Sequence, residues 1–254
     1  MQKNNKIAFL GTGYVGLVAG TCFADKGNEV NCIDIDKDRI EILKSGKIPF
    51  HEPGLQEMMI RNMQKGRLTF STLDEAKLEQ YNVIFISVGT PNDSYGKTDL
   101  GKVYDAINYI KENVKTSKII IIRSTVPTGT CSAIQSIVDE DNDINHIVCS
   151  NPEFTKEGDA VNDFLNPDRV VVGIPKGKEI KAFFYNLYMP FISKEKILFM
   201  SNESSELTKY SSNAFLATRI SFINDIARIA EKLNANIEEV SNAVGMDPRI
   251  GPHF

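Results

Sequence analysis

A chain of 254 residues, 42% hydrophobic and 24% charged, is long enough to bury one large core or two ordinary ones. Its formal net charge of −4 gives no electrostatic reason to expect nucleic acid or an anionic membrane as a partner. No stretch approaches the apolar length of a membrane span, and the opening residues MQKNNK lead into a strand pattern without a signal-type apolar region, so a cytoplasmic location is expected.

The first element of the chain is also the most informative. Ile7, Ala8, Phe9 and Leu10 form a short apolar run that reads as a buried strand, leading directly into Gly11-Thr12-Gly13-Tyr14-Val15-Gly16 and an apolar helix. In that setting Gly11 permits the tight turn, Gly13 lets the backbone approach a pyrophosphate, and Gly16 lets the helix pack closely on the strand. The anion would rest on helical N–H groups that have no intrahelical partner, at the positive end of the helix dipole. Glycine-rich turns also serve ordinary strand–helix packing, so the motif gains its weight from the next strand. That second strand, Glu29 to Ile33, ends in Asp34, at the offset of about twenty residues where a carboxylate accepts the adenine ribose hydroxyls. Asp34, with Asp36 beyond it, would repel a ribose 2′-phosphate and favours NAD over NADP. Lys37 and Arg39 work against that preference; Lys37 reads as a solvated helix start and Arg39 as a contact on the adenosine side.

Lys37 to Leu43 continues as a short helix, and Glu52-Pro53-Gly54-Leu55 opens another with proline in its first turn. Arg67 to Phe70 reads as a third strand. Val83 to Val88 reads as a fourth, a continuous apolar run typical of a parallel strand covered on both faces, ending at Gly89-Thr90-Pro91. Leu100 to Val114 has helical spacing. The strand Lys118 to Ile122 runs into Arg123-Ser124-Thr125-Val126-Pro127 and a helix through Val138, and the strand His146 to Cys149 ends at Ser150-Asn151-Pro152-Glu153. This alternation predicts an α/β fold, a doubly wound parallel sheet of the Rossmann type with right-handed crossovers.

Asn151 to Pro167 reads as a polar loop, with short strands at Val170 to Ile174 and Ile197 to Met200 around a helix. Glu203 to Leu233 has neither proline nor glycine, and Leu207, Phe215, Leu216, Ile220, Ile223, Ile226 and Ile229 recur at helical spacing. A helix of that length predicts a link between domains or a subunit interface. A short helix over Ile237 to Val244 and a loop from Met246 to Phe254 end the sequence. The domain reading is 1–200 for the dinucleotide-binding part and 201–254 for a long central helix and the start of a helical dimerisation region. Because no terminal element closes this second part, the sequence is expected to be a piece of a longer protein.

Strand ends at the carboxyl edge collect the ligand-facing residues of such sheets. Here those turns carry Thr90, Thr125 and the Glu153/Glu157 pair, and the long helix adds Lys209 and Asn213. On a helical turn Glu153 and Glu157 would face one way, and a carboxylate of raised pKa beside a nicotinamide could take a proton at neutral pH. Lys209 and Asn213, also four apart, would aim a cation and an amide at a common oxygen. Cys22, Cys32, Cys131 and Cys149 lack metal-type spacing and are expected to be buried free thiols. His51, His146 and His253 form no cluster at ligand spacing, so no metal is expected.

Taken together, GTGYVGL, ISVGTP, STVPTGT, NPEFTKEG, ELTKYSSNAFLATRISFIN and GMDPRIGPHF resemble the motifs of the UDP-glucose/GDP-mannose dehydrogenases, in order and from Lys6 to the last residue. The resemblance implies a two-step, NAD-dependent oxidation of the C6 alcohol of a nucleotide sugar to a carboxylate, in polysaccharide biosynthesis. UDP-glucose is the substrate it points to, by way of a thiohemiacetal and a thioester on an active-site cysteine. It further implies that Gly11, Gly13, Tyr14, Val15, Gly16, Asp34, Arg39, Thr90 and Thr125 hold NAD, with Thr125 also near the reacting carbon and Glu157 on the nicotinamide side. Glu153 would be the acid/base of thioester hydrolysis, and Lys209 and Asn213 the donors that steady an oxyanion and the attacking water. Phe154 would touch the substrate, as would Arg249, which acts across a homodimer in the family. The family's nucleophilic cysteine stands in a GGSCF motif that this sequence does not contain, and its C-terminal UDP-binding domain is expected to be absent. The expectation is therefore a chain that binds NAD, cannot complete the oxidation and self-associates through uncovered apolar surface. A dehydrogenase of GDP-mannose or of a UDP-N-acetylhexosamine, and a non-catalytic NAD-binding module, are the competing readings.

Overall fold

The computed structural model describes residues 5–140 and 144–252. His253, one of the chain's three histidines, lies outside the described residues. The chain divides into two compact units, Met1–Leu207 and Thr208–Phe254.

The first unit opens with β1 (Lys6–Leu10), α1 (Tyr14–Asp25), β2 (Glu29–Asp34), α2 (Lys37–Lys44), α3 (Leu55–Gln64), β3 (Leu68–Thr72) and β4 (Val83–Ile86). It continues with α4 (Gly101–Asn113), β5 (Ile119–Ile122), α5 (Thr130–Asp139), β6 (Ile147–Ser150), α6 (Ala160–Leu165), β7 (Val170–Gly173), α7 (Lys181–Tyr188) and β8 (Ile197–Met200). These strands form one eight-stranded sheet in the order β3-β2-β1-β4-β5-β6-β7-β8. Residues alternate between its two faces, as the two-residue period of a strand requires. Ile7, Phe9, Phe85 and Ile121 face a core shared with α1, α3, α6 and α7, while Ala8, Leu10, Ile84 and Ile120 face a second core with α4 and α5. The first core is built on aromatic rings: Phe9 stacks on Phe85 at 4.5 Å, and Phe23 of α1 meets Phe164 edge-on at 5.3 Å.

Three local readings are corrected. The helix over 55–64 starts at Leu55 after Gly54, which takes a left-handed φ of 76°, so Pro53 precedes the helix in a turn and is not within it. Asn151 to Pro167 is not wholly a loop, because Ala160, Val161 and Phe164 bury one face of α6. β7 runs antiparallel to β6, paired through Ser150 and Gly173, so the sheet is not parallel throughout; β7 and β8 are parallel to each other. The physical reason lies in the connection: its one short helix packs back on α1 through Phe164, and the chain re-enters the sheet from the carboxyl edge.

α8 (Asn202–Leu233) begins in the first unit. Its opening turns are fastened by buried polar side chains. Asn202 accepts from the Ser150 amide at 3.0 Å and donates to the Val148 carbonyl at 3.0 Å, and Ser205 shares a hydrogen bond with Ser150. Glu206 accepts from the Gly129 and Cys131 amides at 2.6 and 2.7 Å, satisfying N–H groups at the start of α5 that have no intrahelical partner.

The second unit holds the rest of α8 and α9 (Ile237–Gly245). Asn234 ends α8 with a left-handed φ of 53°, a conformation asparagine tolerates better than most residues. Asn236 then caps α9, accepting from the Glu238 amide at 2.9 Å. Among the described residues no helix is long and apolar enough to cross a membrane.

Replacing Glu206 with alanine leaves the buried Cys131 amide and the half-buried Gly129 amide without an acceptor and should lower stability by about 2–4 kcal/mol, read from the midpoint of urea unfolding. An unchanged midpoint would mean that the opening of α8 is not held through α5.

Candidate functional site

The carboxyl ends of β1, β2, β4, β5 and β6 share one edge of the sheet, since these strands are mutually parallel. Gly11, just past β1, has a φ of 100°, and a Cβ there would lie 2.6 Å from the Ser87 carbonyl oxygen, which leaves glycine as the residue that fits. A Cβ on Gly16 would collide with the Gly11 carbonyl, so α1 lies directly against the turn. A Cβ on Gly13 would meet nothing within 4 Å, leaving open room at the N-cap of α1. That cap has no side-chain hydrogen bond and the first turn carries no acidic residue, so its amides are available to an anion. Tyr14 and Val15, the first residues of α1, are half-buried.

Asp34 closes the site from β2. Its Oδ2 accepts from the Thr12 amide at 2.8 Å and the Thr12 hydroxyl at 2.7 Å, and its Oδ1 accepts from the Asp36 amide at 3.1 Å. Arg39 Nη1 stands 3.8 Å from the same carboxylate. Burial acts to raise the Asp34 pKa, but the Thr12 and Asp36 hydrogen bonds and the Arg39 charge outweigh it and hold the carboxyl below its ordinary range. The group is an anion fixed in orientation beside the glycine-rich turn. The open N-cap, the Gly13 cradle and this ionised carboxylate fit the pyrophosphate and a ribose diol of a dinucleotide.

The turns after β4 and β5 are tied together: Thr90 donates to the Thr125 carbonyl at 2.8 Å, and Ser124 donates to the Val88 carbonyl at 2.6 Å. The turn after β6 is held from beneath. Asn151 donates to the Val171 carbonyl at 2.8 Å, and its Oδ1 accepts from Arg123 at 3.0 Å and from the Tyr188 hydroxyl. Glu153, two residues on, accepts from the Thr155 amide and hydroxyl at 2.7 and 2.8 Å. The segment after Glu153 is irregular, so Glu153 and Glu157 do not share a helical face, and the expectation that they would is corrected; Glu157 is exposed. Phe154 lies under the Arg169 guanidinium, 4.3 Å from the ring centroid.

Lys209 and Asn213 belong to the second unit, where both lie on α8, Lys209 buried and Asn213 exposed. Arg249, in the same unit, is exposed and forks onto Asp247, with Nη2 at 2.6 Å from Oδ2 and Nε at 3.0 Å from Oδ1. The four cysteines are buried and free. Burial raises the Cys22 and Cys149 thiols to about 12 and pushes Cys32 and Cys131 well above the ordinary range, so none offers a thiolate at neutral pH. Among the described residues no group of three or more His, Cys, Asp or Glu side chains could hold a metal ion.

The structure also brings in residues that the motifs did not single out. Thr12 is wholly buried by its bonds to Asp34. Glu52 accepts from the hydroxyl of Tyr14 inside the glycine-rich turn, and burial, followed by that hydrogen bond, pushes the Tyr14 hydroxyl up to about 12. Thr12 could have been found as the residue between two motif glycines; nothing in the spacing marks Glu52.

Comparison with known proteins agrees with this geometry. Residues 5–192 match the NAD binding domain of the UDP-glucose/GDP-mannose dehydrogenase family, and residues 203–254 match its central domain. The UDP-glucose 6-dehydrogenase TuaD of Bacillus subtilis is 45% identical over 98% of this chain and 54% of its own length. A UDP-glucose dehydrogenase structure from the hyperthermophilic archaeon Pyrobaculum islandicum is 35% identical with a TM-score of 0.91, over 99% of this chain and 59% of that one. A GDP-mannose dehydrogenase ternary complex from Pseudomonas aeruginosa is 29% identical with a TM-score of 0.87, over 97% of this chain and 57% of that one. The chain spans about half the length of the curated relatives it matches. With the glycine-rich turn, the Asp34 carboxylate and both family domains matched along its length, the chain belongs to the UDP-glucose/GDP-mannose dehydrogenase family and carries that family's NAD-binding domain.

Proposed function

We propose that the protein to which this chain belongs oxidises the C6 alcohol of UDP-glucose to a carboxylate in two NAD-dependent steps, in the cytoplasm and as a homodimer. One observation carries the reading: the Asp34 carboxylate is fixed by Thr12 at the edge of an uncapped glycine-rich helix start. Bound NAD supplies the hydride acceptor, while the chain supplies position and charge.

Gly11, Gly13, Tyr14, Val15 and Gly16 hold the pyrophosphate, Asp34 accepts the ribose hydroxyls, and Arg39 lies on the adenosine side. Thr90 and Thr125 also hold NAD, Thr125 near the reacting carbon, and Glu157 serves the nicotinamide side. Glu153 takes and returns the proton in hydrolysis, its carboxylate aimed by Thr155. Lys209 and Asn213 donate to the oxyanion and the attacking water, where a cation and an amide stabilise developing negative charge. Phe154 and Arg249 contact the nucleotide sugar. With its cysteines buried as thiols, the chain binds NAD but does not complete the oxidation, and residues 1–200 and 201–254 act as dinucleotide and dimerisation regions respectively. UDP-glucose is favoured because the relative at 45% identity is named for it. GDP-mannose is the second reading, supported by the likeness to the GDP-mannose dehydrogenase structure.

The dimer proposal rests on α8, whose Phe215, Phe222 and Ile229 are 62%, 52% and 52% exposed and recur every seven residues. A second copy would cover this stripe.

Isothermal titration of the chain should show NAD binding. Asp34→Ala should weaken that binding by about tenfold or more, as loss of a charged acceptor predicts; unaltered affinity would remove the basis of the reading. Incubation with UDP-glucose and NAD should give no turnover, and reduction of two NAD per sugar by the chain alone would overturn the proposed division of labour. Sedimentation should show self-association that Phe222→Asp abolishes, and a monomer before substitution would count against the dimer.

A further inference from the structure

Glu52 stands outside every sequence motif of the site, yet the residue is 3% exposed and its carboxylate ties its own segment to two others. It accepts from the Tyr14 hydroxyl, from the Gly158 amide at 3.0 Å and from the Val161 amide at 3.1 Å. The Gly158 amide also donates to the Tyr14 hydroxyl at 2.8 Å, closing a three-membered network across 144 residues of sequence. Tyr14 is the first residue of α1, Val161 lies in the first turn of α6, and Gly158 directly follows Glu157. Gly158 has a left-handed φ of 87°, which turns the backbone at that point. The irregular segment 154–159 is thus pinned at one end, through Glu52, to the helix start that holds the dinucleotide in the proposed function.

We propose that Glu52 is a positioning residue: it latches the segment bearing Glu157 onto Tyr14 before a dinucleotide arrives. The inference rests on the reading of the glycine-rich turn as the NAD site. A segment already in place adds nothing to the ordering cost of binding, whereas a loosened one must be ordered when the coenzyme docks. The apparent dissociation constant then rises by the inverse of the fraction of molecules in the competent arrangement. The carboxylate matters because its two oxygens accept all three donors, and a carboxamide has only one oxygen to offer and turns its NH2 group toward the remaining donors.

The test uses the 254-residue chain, with calorimetric titration by NAD and amide hydrogen exchange at Gly158 and Val161 with and without NAD. Glu52→Gln should raise the NAD dissociation constant by about tenfold or more, as loss of charged hydrogen bonds predicts. Tyr14→Phe keeps the ring on Phe50 and both amide bonds to Glu52, so its effect should be smaller, about threefold. In Glu52→Gln exchange at both amides should accelerate without NAD and recover at saturation, whereas in Tyr14→Phe, which removes only the hydroxyl that Gly158 donates to, the acceleration should be confined to Gly158. A merely structural role would lower the melting temperature without the coenzyme-dependent recovery, and dissociation constants unchanged within about twofold would overturn the proposal. If Glu52→Gln does not fold, Tyr14→Phe decides on the same two readouts. If the unaltered chain does not bind NAD, the dinucleotide reading falls by itself; exchange in the variants equal to that of the unaltered chain would independently overturn the latch.

Discussion

The carboxyl edge of this sheet depends on a contact between two stretches of bare backbone. Gly11 lies so close to the Ser87 carbonyl that no Cβ fits between them, and Gly16 lies as close to Gly11. A side chain at either position would lift α1 off the ends of β1 and β4 and move its uncapped amides away from the edge. Thr12, between those glycines, turns inward and gives both its amide and its hydroxyl to Asp34, whereas Gly13 faces open space. One six-residue turn therefore sets the helix dipole, the room above it and the carboxylate beside it, and none of the three can shift alone.

Around this turn, the loops are shaped by buried polar side chains that satisfy the backbone of distant segments. Glu206 serves the start of α5, Asn202 serves β6, Asn151 serves β7 and Glu52 serves the start of α6. A buried amide without an acceptor is costly, so each of these side chains specifies where a loop must run more sharply than apolar contact does. Arg123 is the sharpest instance. The residue is 5% exposed, its guanidinium donates to Asn151 and lies over Phe164 at 5.2 Å, yet among the described residues its Nε has no hydrogen-bond partner. A cation held this way is costly to bury, and its bond to Asn151 ties that cost to the residue that opens the turn after β6.

The legible part of the fold was the part governed by periodicity. Four-residue runs such as Ile119–Ile122, the alternation of strand and helix, and the proline-free stretch that became α8 all announce themselves in the order of residues. The direction of β7 did not, because a two-residue period is the same in either direction and only one residue pair joins β7 to β6. α6 was hidden by its brevity: Ala160, Val161 and Phe164 carry the spacing of one buried face, but polar neighbours surround them. In the site, Asp34 was legible because its offset from the glycines is set by one strand–helix–strand unit, whereas Glu52 owes its place to contacts 38, 106 and 109 residues away. The same limit explains the Glu153/Glu157 pair, whose separation of four implies a shared face only where the chain is helical.

The cysteines and α8 show how differently the two halves of the chain use apolar character. In the first unit every thiol is sealed in the core, with burial as the leading cause that keeps it protonated, so a nucleophile drawn from these positions would have to break the packing that holds the sheet together. α8 leaves that unit through a polar anchor of Asn202, Ser205 and Glu206, and only beyond it do large apolar side chains turn to solvent in a seven-residue row. Phe215, Phe222 and Ile229 are each more than half exposed, and the second copy proposed above is what would cover them.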